Sequence, residues 1–400
     1  EIMPSLVGSE MCIRDRGTIM KSFTFLMHNI YALGGTVKAM TELANTLADK
    51  GHNVEIISIF RAKDMPYFKL NSSIKIKSLV DYRLKPQNVI SIFMNRLNKY
   101  TPLLKPIYLS KHEPGLNQFS KYIEHKLIRA INDIDTDVLI GTRASFNIFI
   151  SKYYQGHAMT IGMEHMNLNA YPKAYRQEIL DAYQHLDALT TLTHTDKNHY
   201  ESFIETPVYV VPNIIRTKKL NLPKKNIILS AGRLEYEKGY DILIESVQLI
   251  KDTLRQKNYK IEIYGEGQEH QNLQETINHY QLNDLITIHP ATQHLNEKLA
   301  QSRMTVVPSR NEGFGMVILE AMAQDNIVIS FKDTLGPSQL IQHNKNGYLA
   351  DYANAQSLAK YINLAIQKRT HSENMIKSSH QTLEHYSPDK IYDYFYSIFK

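Results

Sequence analysis

Two carboxylates eight residues apart, Glu312 and Glu320, bracket the stretch Gly313-Phe314-Gly315-Met316-Val317. An apolar run from Met304 to Val307, closed by Pro308, precedes them, and good helix formers follow Gly315. The pattern is a strand, a glycine turn and a helix start. Unpaired amides at a helix start suit a phosphate, and glycine lets a ligand approach the backbone closely. Were the span helical, the two acids would sit about 12 Å apart along the axis. That separation suits a nucleotide-sugar, with one acid at the hexose hydroxyls and the other at the ribose. A surface glutamate in a loop and another on a helix face would give the same spacing.

Arg233 and Lys238 form a second pair of charges, five residues apart, after a strand-like run from Asn226 to Ala231 and ahead of a helix. Two cations there can clamp two phosphates of a leaving diphosphate. Taken alone, they also read as solvated charges in a turn. Gly265-Glu266-Gly267 closes the next apolar run, Lys260 to Tyr264. In the first half, Gly34-Gly35 ends a loop between a strand, Phe23 to Met27, and a helix, Thr36 to Asp49. This is the phosphate-facing corner of a Rossmann-like βαβ unit. It lacks the full G-x-G-x-x-G spacing, and Phe60-Arg61 stand where a nicotinamide-binding domain wants an acid, which disfavours a dehydrogenase. The strand Met159 to Met163 ends in Glu164-His165-Met166-Asn167, polar groups where open α/β sheets place their chemistry.

The elements that must position these groups alternate as strand and helix twice over, which predicts two consecutive parallel-sheet α/β domains. The expected boundaries are 20–213 for the first domain, 214–225 for a polar and basic linker, 226–385 for the second, and 386–400 for a closing helix. Tyr386, Tyr392, Tyr394, Phe395 and Phe399 fall on helical spacing in that last segment and need a surface to cover. The 400 residues, 43% hydrophobic and 22% charged, suit an ordinary globular protein of two or three domains. Residues 1–19 read as a non-native leader. Ser5 to Arg16 resembles translated sequencing-adapter read-through, and the only cysteine, Cys12, lies there. Chemistry resting on cysteine is therefore excluded. No run approaches the ~20 apolar residues of a membrane span, so a cytosolic protein is expected, one that can still touch a membrane surface.

Between Arg61 and Lys111 the bases Arg61, Lys63, Lys69, Lys75, Lys77, Arg83, Lys85, Arg96, Lys99, Lys105 and Lys111 face only Asp64 and Asp81. Aromatic residues are interleaved, among them Tyr67, Phe68, Tyr82, Phe93 and Tyr100. The segment suits an anionic acceptor or an anionic lipid surface as well as a merely solvated face. No motif supports nucleic acid. Asp133, Asp135 and Asp137 alternate like metal ligands, but Val138 stands where a calcium loop needs glycine, and they read as helix-end and strand-entry residues.

Taken together, Gly232-Arg233-Leu234 with Lys238-Gly239, Tyr264-Gly265-Glu266-Gly267, and Glu312 to Glu320 as E-x7-E resemble the retaining GT-B glycosyltransferases of sequence family four. Val211-Pro212-Asn213, Gly34-Gly35 and Tyr386-Ser387 add to the resemblance, which runs from about Met20 to the end. In layout the chain is similar to bacterial poly(glycerol-phosphate) α-glucosyltransferases. The resemblance implies two Rossmann-like domains facing across a cleft, with the last helix crossing back to the first domain.

By the same resemblance, Arg233 and Lys238 hold the donor diphosphate and Glu312 contacts sugar hydroxyls near the reacting carbon. Gly313, Phe314 and Gly315 offer amides to the sugar, Met316 and Val317 meet the phosphate, and Glu320 takes the ribose. Gly34 and Gly35 cap the diphosphate, Gly265 belongs to the donor site, and His165 lies near the reaction centre. A structurally bonded core histidine is the other reading of His165. The implied reaction is metal-independent transfer of a hexose from a UDP-sugar, with no cofactor, to teichoic acid, polysaccharide or a glycolipid. Two other readings share this shape, namely a nucleotide-sugar epimerase and a non-catalytic partner subunit of a transferase.

Overall fold

The computed structural model describes residues 19–98, 101 and 104–400. The expected leader, with Cys12, lies outside the described residues except for Ile19, as do Lys99 and Tyr100.

Strands buried on both faces read as continuous apolar runs, and the sequence supplies them in two sets. The first set is β1 (Ser22–Met27), β2 (Asn53–Arg61), β3 (Lys75–Asp81), β4 (Val138–Gly141), β5 (Met159–Met163), β6 (Ala188–Thr191) and β7 (Val208–Val210). They form one all-parallel sheet in the order β3-β2-β1-β4-β5-β6-β7. The second set is β8 (Ile227–Ala231), β9 (Lys260–Tyr264), β10 (Ile286–His289), β11 (Met304–Val307), β12 (Ile327–Phe331) and β13 (Tyr348–Ala350). These are also parallel, in the order β10-β9-β8-β11-β12-β13. Strand order reverses between β1 and β4 in one sheet and between β8 and β11 in the other. Crevices at such reversals, outside the carboxyl ends of the strands, are where doubly wound sheets bind ligands.

Three local readings change. The basic segment contains an edge strand, β3, and a helix, Val89–Asn98, neither of which its charge pattern announces. On β3 the exposed alternate positions are Lys75 and Lys77, charges that also guard an edge against unwanted pairing. The helix expected over Tyr240 to Leu254 breaks at Ile250, whose φ of −120° leaves the helical region, giving Tyr240–Leu249 and Lys251–Gln256.

The closing helix runs Pro388–Tyr396. Ser387 caps it by accepting from the Lys390 amide, and Pro388 stands in its first turn. It buries Ile391, Tyr392 and Phe395, each burial worth about 1.5–3 kcal/mol. Its surface is the first domain. Phe395 lies 5.8 Å from Phe23, Tyr392 Oη lies 2.8 Å from His52 Nε2, and Asp389 pairs with Lys50 at 2.7 Å. The chain therefore crosses back at its end. Between the sheets, Arg216 pairs with Glu42 and Asp49 of the first-domain helix Gly35–Asp49, while Gln324 of the second domain donates to the Lys218 carbonyl. Among the described residues, no helix is long and apolar enough to cross a membrane.

Candidate active site

The loops after β8 and β11 flank the reversal in the second sheet, and close glycine contacts lock them together. Gly239 has φ +69°, and a Cβ there would fall 1.9 Å from the Pro308 carbonyl oxygen. A side chain at Gly239 is therefore barred by both conformation and space. Arg310 completes the clasp. Its guanidinium stacks 3.9 Å from the Tyr236 ring centroid and forks onto Asp241 at 2.8 and 2.6 Å. Held this way, Lys238 reaches Glu312, Nζ to Oε2 2.7 Å, and Ser309 Oγ adds a 3.3 Å bond to the same oxygen.

Glu312 leads directly into the helix Met316–Ala323, whose start is set by Gly315 in the left-handed region at φ +95°. Phe314 turns its ring into the core against Tyr386, so its backbone is what it offers the cleft. Gly265 packs against Gly232, since a Cβ would meet the Gly232 carbonyl oxygen at 1.9 Å. That contact fixes the loop bearing Arg233. Arg233 itself pairs with Glu235 at 2.7 Å and keeps its side chain 69% exposed.

The first domain faces this wall closely. A Cβ at Gly313 would lie 2.5 Å from the His165 carbonyl oxygen. Gly34 and Gly35 start the facing helix, and a Cβ at Gly35 would meet nothing within 4 Å among the described residues. From that helix Lys38 reaches across and ion-pairs with Glu320, whose side chain is only 5% exposed. Between the domains lies a cleft of about 420 Å³, lined by Lys38, Arg216, His294, Glu297 and Met316 among others.

Burial sets the charge state just past β5. It pushes Glu164 up to about 7, against the pull of hydrogen bonds donated by the Tyr183 and Tyr171 hydroxyls, the latter at 2.9 Å. Burial alone lowers His165 to about 4, and its Nε2 has no hydrogen-bond partner among the described residues. A neutral imidazole can donate to or accept from a hydroxyl.

With this geometry, residues 213–382 match the sequence model of the family described as glycosyl transferases group 1. The second domain belongs to that family. The chain is 26% identical to an uncharacterized glycosyltransferase of Haemophilus influenzae, across 93% of this chain and 98% of that one. A poly(glycerol-phosphate) α-glucosyltransferase of Bacillus subtilis is 22% identical over 59% of this chain and 36% of its own length. The fold superposes on an S. aureus TarM variant crystallised with fondaparinux, α-GlcNAc-glycerol and UDP. There the TM-score is 0.76 at 16% identity, covering 95% of this chain and all of that one. The chain is a glycosyltransferase of GT-B fold.

Within this glycosyltransferase, the structure gathers Lys238, Glu312, Gly313, Gly315, Met316 and Val317 on one wall, with His165, Gly34 and Gly35 opposite. Glu320 sits one turn into its helix and is held by Lys38. Arg233 is attached to the same loop but directed toward Glu235. Sequence reasoning gave no role to Lys38 or Ser309, and named Glu164 only among the polar groups just past β5.

Proposed function

We propose that the chain is a retaining, metal-independent hexosyltransferase that moves a hexose from UDP-glucose or a UDP-N-acetylhexosamine to a cell-envelope acceptor. The observation that carries this reading is the Lys238–Glu312 pair at the start of the helix Met316–Ala323, facing His165 across the cleft. The second-domain family and the names of the relatives support it. In the reaction the bond between the sugar anomeric carbon and the diphosphate oxygen breaks, and negative charge collects on the diphosphate. Lys238, Arg233 and the Met316 and Val317 amides stabilise that charge where other enzymes use a divalent ion. The acceptor oxygen bonds to the anomeric carbon on the face the diphosphate leaves, and its proton passes to the leaving phosphate oxygen. Glu312 holds sugar hydroxyls, neutral His165 holds another near the reacting carbon, and Glu320 takes the ribose hydroxyls.

The deciding experiment incubates the full chain with a panel of UDP-sugars, with and without teichoic acid or glycolipid, in the presence of EDTA. The expected products are UDP and an α-glycoside, undiminished by the chelator. An inverted anomer or dependence on a metal overturns the mechanism, and isomerised donor without transfer makes the chain an epimerase.

On the acceptor side we place an anionic polymer or a lipid-linked acceptor against the basic segment. Arg83 is clamped by Asp81 and Asp64 and is spoken for, whereas Lys75, Lys77 and Lys85 are exposed. Leu84, Val89, Ile90 and Phe93 are exposed beside them, a combination suited to the anionic inner leaflet of the cell membrane. Charge reversal of Lys75, Lys77 and Lys85 together is expected to raise the acceptor KM about tenfold, in line with a salt-screened attraction, and to leave donor hydrolysis unchanged. Unaltered acceptor kinetics would remove this face from the acceptor path.

A further inference from the structure

Glu320 has a conflict of partners. It is the carboxylate assigned to the ribose hydroxyls, yet its Oε1 is held by the Lys38 ammonium from the opposite domain, and the side chain is 5% exposed. A buried carboxylate that exchanges an ammonium for two neutral hydroxyls loses charge compensation, which is costly unless a cation stays close. The displaced ammonium is in turn 27% exposed and needs an anion. Its helix begins at Gly35, where the Lys38 amide bonds the Gly34 carbonyl at 2.9 Å. Glu320 belongs to the helix that begins at Met316. The start at Met316 is where the proposed function puts the diphosphate, and the start at Gly35 faces it across the cleft. Lys38 also lines the cleft between the domains, whose volume of about 420 Å³ is that of a small-ligand site. The nearest carboxylate on its own helix, Glu42, already pairs with Arg216 at 2.8 Å. Glu297, the other carboxylate named on the cleft wall, lies 3.1 Å from His294 Nδ1. The diphosphate is the anion that the proposed function brings to Lys38.

We propose that Lys38 is a counter-ion switch, bound to Glu320 in the free enzyme and passing to the donor diphosphate as the ribose takes Glu320. This rests on the nucleotide-sugar reading of the cleft. The switch gives the enzyme a reason to refuse a nucleoside that brings no phosphate. Uridine has to break the ion pair without replacing it, while UDP supplies the replacement. It also makes a first-domain side chain respond to a ligand seated in the second, which couples donor binding to closure of the two walls.

The test is calorimetric binding of uridine and UDP to the full chain, with the adenosine and guanosine pairs run alongside. The wild-type protein should prefer the diphosphate by at least about 100-fold, the scale of two charge-assisted contacts. Lys38→Gln should weaken UDP by about tenfold or more and tighten uridine several-fold, because Glu320 is then waiting for hydroxyls. These opposed changes are the signature, and Lys38→Arg should restore the preference. Glu320→Gln supplies an independent arm. It should weaken uridine while keeping or widening the preference for UDP. Parallel weakening of both ligands in Lys38→Gln, or no change in either, makes the ion pair a static domain tie and overturns the switch. Binding of no nucleoside diphosphate by the wild-type protein would instead remove the nucleotide-sugar reading on which it rests.

Discussion

Lys238→Ala is expected to lower kcat for transfer by about 10²–10³-fold while the protein stays folded, the loss typical of removing one preorganised donor from developing charge. Lys238 and Glu312 are 21% and 19% exposed, so their pair is partly desolvated and costs something to break. Without Lys238, Glu312 keeps, among the described residues, the 3.3 Å bond from Ser309 Oγ, which implies a stability loss of about 1–2 kcal/mol. Arg233→Ala makes a sharper comparison. Its pair with Glu235 is exposed, and exposed pairs contribute little to stability, so the melting temperature should not move. Its turnover should nonetheless fall with that of Lys238→Ala, because the proposed reaction needs both cations on the diphosphate. The measurements are kcat and KM for donor hydrolysis and for transfer, beside a thermal midpoint for each variant. Near-normal kinetics in Lys238→Ala would end the assignment of this wall to the leaving group. Normal kinetics in Arg233→Ala alone would leave Lys238 and the helix start as the machinery.

Much of this site is legible in the sequence because strand, glycine turn and helix start each leave a local pattern. Glu312, Gly315 and Glu320 are read from one short stretch, and the structure keeps them together for the same local reason. Arg233 and Lys238 share one loop, but their fates are set elsewhere. Lys238 turns inward because Gly239 packs on Pro308, and Arg233 turns toward Glu235. Gly265, read as part of the donor site, has a packing reason of its own in the close approach to Gly232. Lys38 leaves no local trace at all. Its partner is 282 residues away and in the other domain, and only the facing of two helix starts brings them together. The edge strand Lys75–Asp81 is hidden for a different reason. An edge strand with one solvated face carries lysines that read as plain basic composition, and only pairing with β2 reveals it.

The pH profile of stability should carry the imprint of three groups near the first domain's strand ends, buried Glu164 and the half-buried His28 and His165. Burial lowers His165 and His28 to about 4, His28 with help from the neighbouring Arg143, and raises Glu164 to about 7. Between pH 4 and 6.5 the unfolded chain binds more protons at the two histidines than the folded one, so their contribution to stability is lost as pH falls through that window. Glu164 works the other way. Its folded form holds a proton that the unfolded form releases above the ordinary carboxylate range, so its contribution is lost as pH rises from about 4.5 to 7.

Two histidines outweigh one glutamate, and the three together should make stability rise from acid toward a maximum near pH 6.5 at a slope of about 1.4 kcal/mol per unit. Glu164→Gln removes the opposing contribution while leaving an amide to bond Tyr171 and Tyr183. The groups facing it are those two tyrosines, Tyr200 and Asp196, whose charge favours a neutral neighbour. The variant should match the wild-type protein near pH 4.5 and exceed it by up to about 3 kcal/mol at pH 8, read as urea midpoints at the two pH values. A difference of the same size at both would mean that Glu164 is charged in the folded protein throughout. Neutral His165 would then stand beside a carboxylate, and its role at the reacting sugar would have to be argued from that field.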